Sequence, residues 1–386
     1  GEAATGDDED GDDEGAVGVH AANYSGEAAA AFRRGGAGVK IHTCSQVSSV
    51  VITFLRIMLR KVYPHPRTRT GATMKAVFLD RNTFSPTIDL PAPAGVTDWQ
   101  VFDATANDTA TVVARLQGAQ IAITNKVLMT REILSQLPEL RLIQITATGV
   151  NNVDAAACEE HGVKLYNVAG YSTTTVPEHT FAMMLAAMRG LLPYHQAVIS
   201  GDWQRDGRFC LNELPILDLR GKTLGIVGVG NIGKRVTEIA RVFGMHVLWA
   251  ERRHAAPRSP EYTPFDEVFA TSDIITLHCP LNDASHHLIN AETLALCERT
   301  PLILNMARGP VADADAVVEA LNSGKILGYA SDVFAEEPPP ADEPLLSLRQ
   351  HPRVIYTPHN AWASVGAQQE LWRILMAQVS AFINGS

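Results

Sequence analysis

From Met74 onward the chain alternates short apolar runs with helical patterns. KAVFLD (75–80), QVFDA (100–104), QIAIT (120–124) and RLIQITA (141–147) carry β-branched residues and predict strands. Helical spacing appears between them, near 108–117, 130–136 and 154–161. Thr175-Val176-Pro177-Glu178 then predicts the start of a long helix, with Thr175 as N-cap, proline in the first turn and an early acid. FAMMLAAM (181–188) continues it and Gly190 stops it.

A second series begins at Lys222. TLGIVG, HVLWA (246–250), DIITLH (273–278), PLILNM (301–306), ILGYASDV (326–333) and RVIYTP (353–358) predict further strands. Helical patterns at about 231–243, 290–297, 312–323 and 364–383 separate most of them. Strand–helix alternation of this kind predicts two α/β units with largely parallel sheets, hinged near 176–189. A length of 386 residues agrees with two domains.

Residues 1–73 show no such rhythm. An acidic Gly/Asp/Glu tract, with eight acids among the first 15 residues, leads into an Ala/Gly-rich stretch and the basic, proline-broken RKVYPHPRTRTGAT. We expect Met74 to be the functional start and 1–73 to be a disordered or non-native extension, with a regulatory tail as the alternative. A transit peptide would be poor in acids, which the first residues contradict.

Composition narrows the function classes. The net charge is −10, and residues 1–73, with nine acids and eight bases, contribute almost none of it. The remaining chain is acidic, which disfavours nucleic acid as a partner. The longest membrane-like run, VVITFL (50–55), ends at Arg56, so no membrane span is expected. Cys44, Cys158, Cys210, Cys279 and Cys297 show no CxxC spacing, which fits a reducing, cytoplasmic setting without structural zinc. His286–His287 reads as a polar loop, and no metal site is expected.

GIVGVGNIGKRV (225–236) places Gly228, Gly230 and Gly233 in GxGxxG spacing after one strand and into one helix. The first glycine serves a tight turn, the second a close approach to a pyrophosphate and the third helix–strand packing. Glu251 ends the next strand, 18 residues beyond Gly233, where an acid accepts from ribose hydroxyls and repels a 2′-phosphate. NAD (NADH) is therefore expected over NADP, although Arg252 and Arg253 are suited to that phosphate. A methyltransferase could share the same loop and acid.

Three polar residues follow strand ends. Arg308 follows 301–306, Glu337 follows 326–333 and His359 follows 353–357. Carboxyl ends of parallel strands are where open α/β sheets bind ligands. A guanidinium grips a carboxylate in two places and polarises an adjacent ketone. An imidazole can supply the proton a reduced carbonyl oxygen needs, and a neighbouring carboxylate orients the ring and favours its charged form. These residues are assigned as substrate arginine, acid/base histidine and its glutamate partner. Taken singly, each is also suited to a surface ion pair, a solvated loop or a turn cap.

GIVGVGNIG, LHCPLNDASHHLI (277–289), NMARGPVAD (305–313), DVFAEEPP (332–339) and TPHNAWAS (357–364) together resemble the D-isomer-specific 2-hydroxyacid dehydrogenase family. The likeness spans about 74–386, and ITNKVLMT (123–130), TATGVNNVD (146–154) and NVAGYSTTTVPEHTFA (167–182) are most similar to its glycerate dehydrogenase/hydroxypyruvate reductase branch. The resemblance implies two Rossmann-like doubly wound domains, with a cofactor domain, 175–362, inserted into a discontinuous substrate domain, 74–174 and 363–386. It implies catalytic roles for Arg308, Glu337 and His359, and cofactor contacts at Asn231, Ile232, Cys279, Pro280, Met306 and Ala307. It also implies that Asp332 holds the nicotinamide carboxamide and that Lys126 and the amides of Gly149 and Val150 meet the substrate. A homodimer joined through the cofactor domain, with a segment like 191–219 reaching across, is implied as well. The sequence departs from the family pattern around Val176–His179 and at Ala312.

The expected reaction is NADH-linked reduction of hydroxypyruvate or glyoxylate, and its reverse. Formate dehydrogenase shares the fold but pairs its histidine with glutamine, where this chain has Glu337. A nucleotide-sensing corepressor-like protein shares the scaffold and triad, and turnover of hydroxypyruvate separates it from an enzyme.

Overall fold

The computed structural model describes residues 74–385, so the expectation for 1–73 lies outside the described residues. Twelve strands within them form two parallel sheets. The first contains β1 (Lys75–Phe78), β2 (Asp98–Val101), β3 (Ile121–Thr124), β4 (Leu142–Ile145) and β5 (Lys164–Tyr166), in the order β2-β1-β3-β4-β5. The second contains β6 (Thr223–Val227), β7 (His246–Ala250), β8 (Tyr262–Thr263), β9 (Ile274–Leu277), β10 (Leu302–Asn305), β11 (Gly328–Ser331) and β12 (Val354–Tyr356). Its order is β12-β11-β10-β9-β6-β7-β8.

Both faces of each sheet are covered, which is why the strands read as unbroken apolar runs. Side chains alternate across a strand, so Ala76 and Phe78 join one core cluster while Val77 and Leu79 join another. In the second sheet Ile303 enters one cluster, and Leu302 and Leu304 enter the opposite one. The last helix, Val365–Asn384, sends Leu371, Trp372, Leu375 and Val379 back onto the first sheet. The helix Thr175–Arg189 packs on the second.

Several boundaries differ from the sequence pattern. β2 lies two residues earlier than expected. β5 and β8 are short edge strands with little apolar content, which left no periodic signal. The helices Leu191–Ile199, Asp202–Asp206 and Phe265–Thr271 were likewise not anticipated. Thr174, not Thr175, caps the hinge helix, and without a side-chain bond. The buried Thr175 hydroxyl instead donates to the Ala361 carbonyl at 3.0 Å, tying the helix to the loop beyond β12. Gly190 does end that helix, at φ 61°. No helix among the described residues is long and apolar enough to cross a membrane.

Candidate active site

Strand order reverses between β6 and β9, and the glycine loop lies at that reversal. Gly228 has φ +96°, and a Cβ there would stand 2.5 Å from the Cys279 amide nitrogen. Only glycine fits this turn between the ends of two strands. A Cβ on Gly233 would collide with the Gly228 carbonyl, so the third glycine sets how closely the helix meets the turn. At Gly230 a Cβ would meet nothing, leaving open space above the loop.

The helix Asn231–Val242 begins there with Gly230 as an N-cap that offers no side-chain bond. Its first backbone bond runs from Lys234 to Gly230, and the amides of Asn231, Ile232 and Gly233 find no acceptor among the described residues. Unpaired amides at a helix N-terminus bind anions well. The residues present therefore fit a dinucleotide pyrophosphate: donors, room and a positive helix end converge.

Other cofactor candidates border this crevice. Cys279 and Pro280 follow β9 after His278. Burial pushes the Cys279 thiol up to about 11, so it is no nucleophile at neutral pH. Met306 and Ala307 follow β10 and are buried. His278, which sequence reasoning passed over, is held neutral by burial, with its pKa driven down to about 3. Its Nε2 pairs with the Thr276 hydroxyl at 3.0 Å while Nδ1 has no partner among the described residues.

Glu251 follows β7 and is only 3% exposed. It is bound by Arg258, a residue that no motif or periodicity singles out. That guanidinium holds its carboxyl down to about 2.

Three successive strand ends bring the catalytic candidates together. Gly309 is pressed against the backbone of Phe334 and Ala335 so closely that any side chain would overlap it. This fixes the Arg308 turn against the loop after β11. The Phe334 amide donates to Glu337 Oε1 at 3.2 Å, and Glu337 Oε2 pairs with His359 Nδ1 at 2.6 Å. Burial raises the Glu337 carboxyl, but the His359 bond and charge, the Phe334 amide and the Lys126 charge together carry it below its usual range.

Asp332 fixes the histidine loop. Oδ1 accepts from the Thr357 hydroxyl at 2.6 Å and the Asn360 amide at 2.9 Å, and Oδ2 from the Ala361 amide at 3.0 Å. His359 lies between these anchors at φ 51°, a region non-glycine residues seldom occupy. His179 on the hinge helix joins the same network through Thr357 at 3.0 Å.

The first sheet supplies the facing groups. Gly149 and Val150 follow β4, and neither amide donates to an acceptor among the described residues. A Cβ on Gly149 would stand 3.0 Å from a terminal nitrogen of Arg308. That guanidinium also donates to its neighbour's carbonyl, Ala307, at 2.7 Å. Burial raises the Tyr171 hydroxyl, while its bonding with Thr148 and the Arg308 charge pull it back, so Tyr171 borders the same spot. Lys126 follows β3 and acts on Glu337 by charge, as above. A guanidinium beside two unpaired amides makes a carboxylate cradle, with an imidazole–carboxylate pair on the adjoining strand ends.

The chain is similar to several known proteins. Residues 181–361 match the NAD binding domain of the D-isomer specific 2-hydroxyacid dehydrogenases. The chain is 39% identical over 314 residues to a glycerate dehydrogenase of Methylorubrum extorquens, covering 81% of this chain and 97% of that one. It is 33% identical over 322 residues to a hydroxypyruvate reductase of Blautia hydrogenotrophica, covering 81% and 98%. Among solved structures, D-lactate dehydrogenase from Aquifex aeolicus complexed with NAD and lactic acid is similar. Its TM-score is 0.68 at 28% identity, over 81% of this chain and 96% of that one.

Proposed function

Because this chain belongs to the D-isomer specific 2-hydroxyacid dehydrogenase family, we propose that it reduces hydroxypyruvate to D-glycerate, and the reverse, with glyoxylate as a second substrate. The observation that carries this reading is the cradle of Arg308 beside the unpaired Gly149 and Val150 amides, next to the Glu337–His359 pair.

Gly228, Gly230 and Gly233 would shape a pyrophosphate site, and the amides of Asn231 and Ile232 would hold its oxygens. Glu251 stands where the adenosine ribose would lie, and Cys279, Pro280, Met306 and Ala307 line the crevice. Asp332 spends three acceptor sites on the His359 loop, which leaves about one of roughly four for a carboxamide. A nicotinamide nucleotide, when bound, supplies or takes the hydride at the substrate's second carbon.

The chain's own groups do the rest. Arg308 and the two amides bind the carboxylate of a small 2-oxo acid and turn its ketone toward the histidine. His359 has Nδ1 committed to Glu337, so Nε2 passes the proton to the ketone oxygen during reduction and takes it back during oxidation. Glu337 fixes the ring's orientation through Nδ1. Lys126 adds positive charge near the same carboxylate.

We divide the chain into a substrate domain, 74–174 and 363–386, and a cofactor domain, 175–362. The return of the last helix to the first sheet supports that division. A homodimer is supported by the apolar surface between 191 and 216, where Leu191, Leu192, Ile199, Ile216 and the 95% exposed Phe209 face solvent. Free thiols at Cys158, Cys210, Cys279 and Cys297 support a cytoplasmic setting.

A panel of NADH and NADPH against hydroxypyruvate, glyoxylate, pyruvate and phosphohydroxypyruvate tests the substrate. The highest kcat/KM is expected with hydroxypyruvate. A preference for the phosphorylated acid, or no turnover of any 2-oxo acid, would overturn the assignment.

A further inference from the structure

β6 and β7 pair with Val227 opposite Ala250, so Glu251 stands beside Gly228 at the mouth of the nucleotide crevice. Sequence position alone makes it a ribose acceptor. Its surroundings say otherwise. Oε1 accepts from the Arg252 amide at 2.7 Å, from Arg258 Nε at 3.0 Å and from a terminal nitrogen of Arg258. Oε2 accepts from the Arg258 amide and from Arg258 Nε, both at 2.8 Å. A carboxylate offers about four lone-pair sites, and these contacts use them all. A ribose diol arriving here finds no open acceptor.

The accessible edge of the same loop is cationic. The Arg258 guanidinium lies 4.5 Å from the centre of the Tyr262 ring, which holds it in place with much of its length in solvent. Arg252 is exposed and makes no ion pair among the described residues. Arg253 is drawn away to Glu292 at 2.6 Å. The one acid is thus buried and neutralised, and two guanidinium groups remain at the surface.

We propose that Arg258 sets the choice of nicotinamide nucleotide. By saturating Glu251 it withdraws the acid from the adenosine ribose, and with Arg252 it offers a site for a 2′-phosphate, so the chain accepts NADPH alongside NADH. This rests on the proposed function in presupposing a nicotinamide nucleotide in the crevice. It replaces the simple expectation of NAD preference with a pair of residues that opposes it.

The test is fluorescence titration of NADH and NADPH against the wild type, Arg258→Leu and Glu251→Gln at one ionic strength. The two wild-type Kd values should lie within about tenfold of each other. Arg258→Leu should shift their ratio toward NADH by on the order of tenfold, the scale of one charge-assisted hydrogen bond. Glu251→Gln keeps the shape, releases Arg258 from its counter-charge and should shift the ratio toward NADPH. Wild-type rejection of NADPH by more than about 100-fold, or an unchanged ratio in Arg258→Leu, would overturn the inference. Should Arg258→Leu fail to fold, Glu251→Gln decides alone, and a ratio that stays put or moves toward NADH overturns it. Failure of both nucleotides to bind wild type would remove the proposed function itself, a result distinct from tight NADH binding without the Arg258 effect.

Discussion

The two sheets have the same kind of crevice and treat it in opposite ways. In the first, strand order reverses between β1 and β3; in the second, between β6 and β9. The first crevice is filled from within. Asp80 follows β1 and its buried carboxylate accepts from the Thr124 hydroxyl at 3.0 Å and from the amides of Asn125 and Lys126 at 2.9 and 2.7 Å. The second crevice has glycine where the first has aspartate, and its helix amides stay unpaired. One site carries its own anion and the other awaits one. The same topology therefore holds a structural clamp on one side and a ligand site on the other, decided by whether a carboxylate or a hydrogen atom follows the first strand.

The largest expected effect comes from closing the open crevice. Gly228→Ala forces a side chain into the Cys279 backbone at positive φ, and should cost on the order of 3 kcal/mol in stability while nucleotide affinity falls by more than about 100-fold. Unchanged affinity would mean the nucleotide binds elsewhere. Opening the filled crevice comes next. Asp80→Ala leaves the buried Asn125 amide without an acceptor, at about 1–3 kcal/mol, while the part-exposed Lys126 amide turns to water and the Thr124 hydroxyl keeps its bond from the Val127 amide. Urea unfolding should register the loss, and nucleotide Kd should stay nearly constant. A lost Kd with intact stability would reverse the contrast.

Gly230→Ala sharpens the comparison. Its Cβ meets nothing, so the melting temperature should hold, while pyrophosphate binding weakens by about tenfold. Equal affinity in this variant would show that the open space is not used. The smallest effect concerns Glu251. Its folded pKa, about 2, is depressed from 4.5, so its contribution is complete above about pH 4.5 and is lost as pH falls toward about 2. The gap in melting temperature between wild type and Glu251→Gln should narrow on acidification across that range. A gap that widens would contradict the Arg258 pairing.

Which parts were legible follows the same contrast. The glycine loop could be read because each glycine answers a backbone demand, and Gly228 and Gly233 meet it visibly. Arg308, Glu337 and His359 could be nominated because parallel sheets present their carboxyl ends to ligands, and the 2.6 Å Glu337–His359 contact joins two of them directly. Asp80 was hidden in plain sight: an acid at the end of KAVFLD looks like the end of a strand until the amides of β3's loop close around it. Arg258 left no trace at all, since it sits in a loop without periodicity and its meaning depends on where the chain folds back. Asp332 was read as a cofactor contact, yet most of its hydrogen bonding is spent on shaping the His359 turn.

The most direct test of the account is a pair of numbers from one preparation of His359→Ala: kcat for hydroxypyruvate reduction and Kd for NADH. Loss of proton transfer from Nε2 should lower kcat by about 10²–10⁴, with NADH affinity close to that of the wild type. A kcat near the wild-type value, or a fall in affinity that accounts for the whole defect, would contradict it.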